Sequence, residues 1–329
     1  MNSKINSIIS GTGAALPGTI ITNPDLEKMV ETSDEWIVSR TGIRERRKLE
    51  EGFSNVDLTE TASRQALERA GLEPSELDMI IVATVTPDYP TPSTSCLLQA
   101  RLKASRAAAL DLAAGCTGFV YALTVAHQFI LSGACKNILV VGSEVLSRVT
   151  DWEDRSTCVL FGDGAGAVVL SPTDEDRGIL DFSLHCDGRG AELLMIPAGG
   201  SRMPSCSESL QNRMHFIKMN GNEIFKFAVK AVEENLSVMM GRQGIGSDDL
   251  DYLFLHQANL RIIEHVRKRL RLPREKVPVN IDRFGNTSSA TIPIAIHEEV
   301  LSGRLRQGDL VAMVAFGAGL TWGGVLMKW

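Results

Sequence analysis

The sequence predicts an α/β protein that is built twice from the same unit of helix and strand, and two observations support this fold class. Residues 71–82 match residues 244–255 at a constant offset of 173 residues (244 less 71). Each copy follows an amphipathic helical pattern, over 58–70 and 223–240, and then enters an apolar run as long as a buried strand. Helices and strands that alternate in this way pack as layers.

Two further pairs of segments keep the same order in both halves. In the first pair, a strand-like run leads through a glycine to a helical pattern. The first half has these features at 107–114, Gly115-Cys116 and 118–131, and the second half has them at 277–283, Gly285-Asn286 and 290–301. In the second pair, a glycine-rich turn precedes an apolar run: 161–166 and 167–170 against 316–319 and 323–327. Chance similarity between amphipathic segments is the alternative, but it does not explain three matches in one order.

The polar stretch 172–178, which contains Pro172 and Gly178, is the predicted seam between the halves. The predicted domains are therefore an N-terminal half over 1–172, which contains Cys116, and a C-terminal half over 173–329.

Composition limits the class of protein. The chain has 329 residues and 44% apolar residues, enough for a sizeable core. Its net charge of −6 argues against general binding to nucleic acid or to a membrane surface, because both partners favour basic surfaces. No segment approaches the ~18 continuous apolar residues of a membrane span. Residues 1–10 lack the apolar core of a signal peptide.

The six cysteines are dispersed without a CxxC pair, at Cys96, Cys116, Cys135, Cys158, Cys186 and Cys206. In a chain of this length without an export signal, this spacing predicts reduced thiols and a cytoplasmic protein. No group of histidines and cysteines has zinc spacing, so no metal is predicted.

Cys116 is the candidate nucleophile because it lies where a predicted buried strand gives way to a helix. A helix N-terminus carries partial positive charge and unpaired N–H groups, which predicts a thiol pKa below the free value of ~8.5. The same N–H groups can hold an oxyanion, and the neighbours Gly115, Thr117 and Gly118 leave room for a substrate. A buried, inert cysteine is the alternative.

His256 and Asn286 are the candidate partners of Cys116. His256 follows the repeated strand, and ligands gather at strand ends in α/β sheets; a core histidine is the alternative. Asn286 occupies the place in the second half that Cys116 occupies in the first. Taken alone, Gly285-Asn286 is an ordinary turn. If the halves pack about a pseudo-twofold axis, however, both residues point to one central site.

Four motifs resemble those of the β-ketoacyl-acyl carrier protein synthase III family, which belongs to the thiolase superfamily: AGCTGF at 114–119, HQANLR at 256–261, GNTS at 285–288 and FGAGLTWG at 316–323. The stretch 32–44 matches this family as well, and the resemblance runs from about residue 8 to the C-terminus. It implies a thiolase-like five-layer αβαβα fold and a homodimer.

The resemblance also implies an activity, namely the acyl transfer that initiates fatty acid synthesis without a cofactor. An acyl-CoA loads Cys116, and the backbone N–H groups of Cys116 and Ala318 hold the oxyanion. Malonyl-acyl carrier protein then loses CO2, and His256 and Asn286 donate hydrogen bonds to the resulting enolate. Phe316 shields the site from water.

Further residues are implied as contacts with the substrates. Trp36 and Arg155 enclose the adenine of coenzyme A, and Arg40 lies near its phosphates; a core role is the alternative for Trp36. Lys226 and Arg261 are expected to meet the acidic carrier protein, and solvated surface charge is the alternative for both.

The acyl pocket is assigned to Thr91, which the resemblance places at the floor of the partner subunit's pocket. Thr is smaller than the Phe that goes with short primers, so we expect medium or long acyl-CoA primers. The variable segment 199–213 is a candidate lining of the pocket mouth.

Other classes of protein share parts of this pattern of motifs. The segments 11–16 and 162–167 partly match a nicotinamide dinucleotide loop, but Pro17 and a strand pattern follow where a helix is required. A cysteine hydrolase uses the same three residue types, and a non-catalytic subunit usually lacks the nucleophile. A related enzyme of secondary metabolism that uses another acceptor is the nearest alternative.

Overall fold

The structure, a computed structural model, describes residues 5–329. Its strands, in chain order, are β1 (Asn6–Ala15), β2 (Thr19–Thr22), β3 (Glu45–Lys48), β4 (Met79–Ala83), β5 (Ala108–Leu112), β6 (Ile138–Val145), β7 (Asp163–Thr173), β8 (Gly178–Cys186), β9 (Leu194–Met195), β10 (Lys218–Met219), β11 (Tyr252–Leu255), β12 (Leu310–Gly317) and β13 (Thr321–Lys328). The α-helices are α1 (Asn23–Leu26), α2 (Asp34–Thr41), α3 (Asn55–Ala70), α4 (Thr94–Leu102), α5 (Gly118–Leu131), α6 (Arg155–Cys158), α7 (Ser207–Gln211), α8 (Gly221–Gln243), α9 (Leu260–Arg269), α10 (Ile281–Phe284) and α11 (Thr291–Leu301).

Two mixed sheets organise the molecule. The first has the order β1-β7-β6-β4-β5, in which β4 runs parallel to both β5 and β6. The second has the order β11-β12-β13-β8, in which β11 and β12 are parallel. Smaller two-stranded sheets join β2 with β3 and β9 with β10.

The helices form three layers around these sheets, and each pair of adjacent layers shares an apolar core. Helices α3 and α4 pack on the outer face of the first sheet. Helices α5 and α11 lie between the two sheets, and α8 and α9 cover the outer face of the second. The order is therefore α, β, α, β, α, as predicted.

The predicted repeat is visible in the elements, with two differences. Helix α3 leads into β4 as α8 leads into β11, and both α5 and α11 follow short 3-10 turns. Residues 277–280 form no strand, so the expected counterpart of β5 is missing; Pro278 has no N–H to donate to a sheet there. Strand β5 is half-buried at a sheet edge rather than buried.

Glycines in β1 allow a close approach of helix and sheet. A Cβ atom on Gly13 would lie 2.0 Å from the carbonyl oxygen of Ala62 in α3, so this position requires glycine. Residues 11–15 belong to β1, and 163–167 begin β7. The glycine-rich segments are therefore strands that pack closely, which excludes the dinucleotide-loop interpretation.

The chain passes from the first sheet to the second through residues 174–177, between β7 and β8. The domain limits 1–172 and 173–329 remain a prediction, and residues 1–4 of the N-terminal half lie outside the described residues. The same four residues begin the segment 1–10, which is expected not to be a signal peptide, so that expectation too lies partly outside the described residues. In the described part, 5–329, no helix combines the length and apolarity that crossing a membrane requires.

Candidate active site

Three separate parts of the chain bring Cys116, His256 and Asn286 to one cavity. Cys116 lies in the 3-10 turn Gly115–Thr117 before α5, His256 directly follows β11, and Asn286 follows α10. All three line a cavity of about 110 Å³ together with Phe316. The structure thus brings together the three residues that the sequence proposed as partners.

The Cys116 turn is packed backbone to backbone against the end of β12. A Cβ atom on Gly317 would lie 2.6 Å from the Cys116 nitrogen, and one on Gly115 would lie 2.9 Å from the Ala318 nitrogen. The Thr117 and Thr321 hydroxyls, 3.0 Å apart, hold the two segments together. The backbone amides of Cys116 and Ala318 are therefore neighbours, as an oxyanion site requires.

The thiol of Cys116 is not activated in the way that the sequence predicted. Burial raises its pKa to about 12; a hydrogen bond from Ser288 opposes this rise, and the charge of Glu144 adds to it. The prediction of a lowered pKa is wrong because desolvation of the thiolate outweighs the favourable contacts. Burial therefore favours the neutral form of Cys116.

His256 is neutral as well. Its side chain is buried, and burial lowers its pKa to about 3. The Nδ1 atom lies 2.8 Å from the Thr291 hydroxyl, and the ring packs edge-on against Phe316 at 5.3 Å between centroids. When Thr291 donates to Nδ1, Nε2 carries the ring proton and is a hydrogen-bond donor.

Asn286 is oriented by the turn that follows it. Its Oδ1 accepts a hydrogen bond of 2.8 Å from the Ser288 backbone N–H, so its two Nδ2 protons are left for the cavity. Its own N–H donates to the Leu160 carbonyl oxygen at 2.8 Å. Sequence reasoning missed the contacts of Ser288 and Thr291, because both depend on how the turn is folded.

A second cavity of about 250 Å³ opens on the other side of Cys116. Its lining is mainly apolar and comes from distant parts of the chain: Val85, Leu146, Leu194, Ile196 and Ile217. Cys116, Phe161 and Leu194 line both cavities. Sequence reasoning missed these side chains, since no local pattern links 85, 146 and 194–217.

The assigned floor residue and the variable segment lie outside the two cavities. Thr91 is exposed and contributes to neither cavity of its own chain. Among the described residues, 199–213 likewise add nothing to either lining. The expectation that this segment lines the pocket mouth therefore finds no support within a single chain.

Comparison with known proteins identifies the family. The family models described as 3-Oxoacyl-[acyl-carrier-protein (ACP)] synthase III and its C-terminal part match residues 110–188 and 240–329. A beta-ketoacyl-[acyl-carrier-protein] synthase III of Caldanaerobacter subterraneus is 51% identical over 100% of this chain and 99% of its own. The chain belongs to the synthase III family.

Solved structures of the family have the same fold. The 3-oxoacyl-[acyl-carrier-protein] synthase III of Aquifex aeolicus is 46% identical, with a TM-score of 0.92 over 98% of this chain and 100% of its own. The priming beta-ketosynthase of the R1128 polyketide pathway is 35% identical, with a TM-score of 0.89 over 98% and 96%. The thiolase-like α/β fold predicted from the sequence is confirmed.

In this synthase III family member, the residues expected to bind coenzyme A lie together at the surface. The guanidinium carbon of Arg155 lies 5.0 Å from the centre of the Trp36 ring, and Arg155 donates a 2.8 Å hydrogen bond to the Glu31 carbonyl oxygen. Arg40 is exposed at the end of the same helix as Trp36, and its carbonyl oxygen accepts from Asn259. Trp36 is half-buried, so part of its ring is accessible.

The two expected carrier-protein contacts are exposed beside the first cavity. Arg261 lies over the ring of Phe225 at 5.4 Å, and Phe225 lines that cavity. Lys226 follows Phe225 in α8 and pairs with Glu223 at 2.8 Å. An exposed pair of this kind contributes little to stability, so Lys226 can change partner at small cost.

Proposed function

We propose that this synthase III family member transfers an acyl group from coenzyme A to Cys116 and condenses it with malonyl-acyl carrier protein, with loss of CO2, to initiate fatty acid synthesis. The observation that carries the proposal is the convergence of Cys116, His256 and Asn286 on one cavity, with an apolar cavity behind the thiol. A thiol nucleophile, two neutral donors and an apolar chamber suit acyl transfer between thioesters.

In the first half-reaction, the Cys116 sulfur attacks the thioester carbonyl, and the proton that it releases as the S–C bond forms balances the one that the departing coenzyme A sulfur takes up. The N–H groups of Cys116 and Ala318 stabilise the oxyanion. The bond to coenzyme A then breaks, the coenzyme A sulfur takes up a proton, and an acyl-enzyme remains.

In the second half-reaction, the bond between the malonyl α-carbon and its carboxylate breaks and CO2 departs. His256 Nε2 and Asn286 Nδ2 donate hydrogen bonds to the enolate oxygen that forms. The enolate carbon attacks the acyl carbonyl, the S–C bond breaks, and Cys116 regains a proton. Phe316, which packs on His256, keeps water from the acyl-enzyme.

The surface contacts extend the proposal to the substrates. Trp36 and Arg155 bind the adenine of coenzyme A between them, which requires Arg155 to leave the ring face that it now covers. Arg40 meets the phosphates. Lys226 and Arg261 meet the acidic carrier protein, and the catalysis requires no cofactor.

The assembly is proposed to be a cytoplasmic homodimer. Strand β5 ends the first sheet with half-exposed apolar side chains, and an open edge of this kind favours pairing with a second chain. Thr91 is exposed in the single chain, as expected of a residue that closes the partner's pocket. Each chain is proposed to consist of the duplicated halves 1–172 and 173–329.

The primers are proposed to be medium or long acyl groups. The apolar cavity has a volume of about 250 Å³, whereas one water occupies roughly 30 Å³. The cavity therefore has room for an acyl group much longer than acetyl. We expect Thr91→Phe to lower the loading rate of octanoyl-CoA relative to acetyl-CoA by about tenfold or more, because a pocket discriminates chain length by steric fit.

The measurement is intact-mass detection of the acyl-enzyme over a series from acetyl-CoA to dodecanoyl-CoA, with Thr91→Ser as the matched control. Wild-type protein and Thr91→Ser should load octanoyl-CoA readily. Efficient loading of acetyl-CoA alone by the wild type would overturn the primer assignment and leave the acylation of Cys116 intact.

The alternative acceptor is a small molecule of secondary metabolism. The 35% identity to the R1128 enzyme is well below the 51% identity to a synthase III, which favours fatty acid synthesis. Offering malonyl-acyl carrier protein and malonyl-CoA to the acylated enzyme distinguishes these acceptors. If neither gives a condensation product, the small-molecule alternative is favoured.

A further inference from the structure

Behind the candidate site lies a buried carboxylate that the proposed mechanism does not use. Glu144 lies near the end of β6 and has no exposed surface. Its Oε2 accepts hydrogen bonds from the Thr86 hydroxyl at 2.6 Å and the Val85 N–H at 3.1 Å. Its Oε1 lies 3.1 Å from the hydroxyls of both Ser288 and Ser289.

The charge of this carboxylate is balanced only by neutral groups among its principal contacts. Burial raises the pKa of Glu144. Hydrogen bonds from Thr86, Val85, Ser288 and Ser289 oppose this rise. A buried acid without a cationic partner costs stability. Such a group calls for a role other than stabilising the fold.

The turn that Glu144 holds is the turn that orients the candidate catalytic residues. The Ser288 N–H fixes the Asn286 amide at 2.8 Å, and the Thr291 hydroxyl lies 2.8 Å from His256 Nδ1 and 3.0 Å from the Ser288 carbonyl oxygen. Ser288 and Cys116 also line the same apolar cavity. One carboxylate is thus connected to Asn286 and His256 through a single turn.

The backbone of this turn is strained and needs support from its surroundings. Ser288 has φ 51°, in the left-handed region that residues other than glycine rarely adopt. A conformation of this kind persists only where neighbouring groups hold it. Gly142 permits the close approach on the β6 side, because a Cβ atom there would lie 2.3 Å from the Ser289 carbonyl oxygen.

We propose that Glu144 is a positioning residue, whose carboxylate holds the turn Ser288–Ala290 so that Asn286 and His256 face the enolate during decarboxylation. The inference rests on the proposed function of those two residues. It assigns Glu144 to the second half-reaction, because Cys116 and the Ala318 amide are placed by other contacts.

The test replaces Glu144 with Gln, which keeps the shape but removes the charge and one acceptor oxygen. We expect condensation of pre-acylated Glu144→Gln enzyme with malonyl-acyl carrier protein to fall about 10- to 100-fold, because small misplacements of reacting groups cost rate on this scale. Loading of Cys116 from acyl-CoA should not slow.

The matched control is Asp163→Asn. Asp163 is also fully buried, on the neighbouring strand β7, and accepts hydrogen bonds from Leu49 and Ser147, which do not belong to the turn. A general loss of packing would slow both half-reactions in both variants. An effect of Glu144→Gln on condensation alone, absent in Asp163→Asn, supports positioning.

A second readout follows the thiol itself. Removing the negative charge of Glu144 should increase the rate at which iodoacetamide alkylates Cys116 at pH 8, because that charge now raises the thiol pKa. Peptide mass spectrometry separates Cys116 from the exposed Cys96, Cys186 and Cys206. Asp163→Asn should leave the rate unchanged.

Should Glu144→Gln fail to fold, Ser289→Ala tests the same turn, and its condensation rate should fall while loading persists. Wild-type condensation in Glu144→Gln, or in Ser289→Ala where that variant takes its place, overturns the inference. The proposed function fails separately: Asn286→Ala would then condense normally, whereas slow condensation by Asn286→Ala beside normal Glu144→Gln rejects only the role of Glu144.

Discussion

Cys116→Ala should lose acyl loading and condensation by at least about 10³-fold, because among the described residues Cys116 is the only cysteine that lines either cavity, and the acyl group then has no covalent site. The variant should still release CO2 from malonyl-acyl carrier protein slowly, since His256 and Asn286 remain in place to stabilise the enolate. The measurements are intact mass after incubation with acyl-CoA, product formation and CO2 release.

The matched control for this variant is Cys158→Ala. Cys158 is buried and Cys116 is half-buried, but burial raises the thiol pKa of both, that of Cys158 to about 11; Cys158 belongs to a separate core cluster beside α2. Its replacement should leave loading unchanged. An acyl adduct of unchanged yield in Cys116→Ala would place the nucleophile elsewhere.

His256→Ala and Asn286→Ala should each lower condensation by about 10²–10³-fold, the cost of removing one preorganised donor from a developing negative charge. The double variant should lose less than the product of the two effects, because the donors act on the same oxygen. The rate of CO2 release by pre-acylated enzyme is the quantity to measure.

His127→Gln is the control for the loss of a buried histidine. Burial lowers the pKa of His127 to about 4. Its Nδ1 atom forms a hydrogen bond of 2.8 Å with the Ser7 hydroxyl, and a Gln side chain can keep this contact. Condensation should be unaffected by this substitution. Equal losses in His127→Gln and His256→Ala would show that stability, rather than enolate stabilisation, explains the effect.

The apolar periodicity of α3 and β4, repeated in α8 and β11, predicted α/β layers, and the resemblance to the synthase III family implied their five-layer order. The sequence also predicted which side chains meet, since Cys116 and Asn286 occupy equivalent places in the two halves. It did not predict the missing strand at 277–280, where Pro278 and the following short helix interrupt the repeat.

The electrostatics of the site could not be read from the sequence. A cysteine before a helix suggests a lowered pKa, whereas the structure buries the Cys116 thiol and places Glu144 nearby, and both raise it. The contacts of Glu144 join residues up to 145 positions apart in the chain, a relation that only the packed fold creates.

The central claim is that an acyl group on Cys116 is the intermediate that malonyl-acyl carrier protein captures. The most direct measurement is a single turnover, in which acyl-enzyme freed of acyl-CoA is mixed with malonyl-acyl carrier protein. The account predicts that the acyl mass leaves Cys116 as CO2 and 3-oxoacyl-acyl carrier protein appear in equal amounts. An adduct that persists, or that is released as free fatty acid, would contradict it.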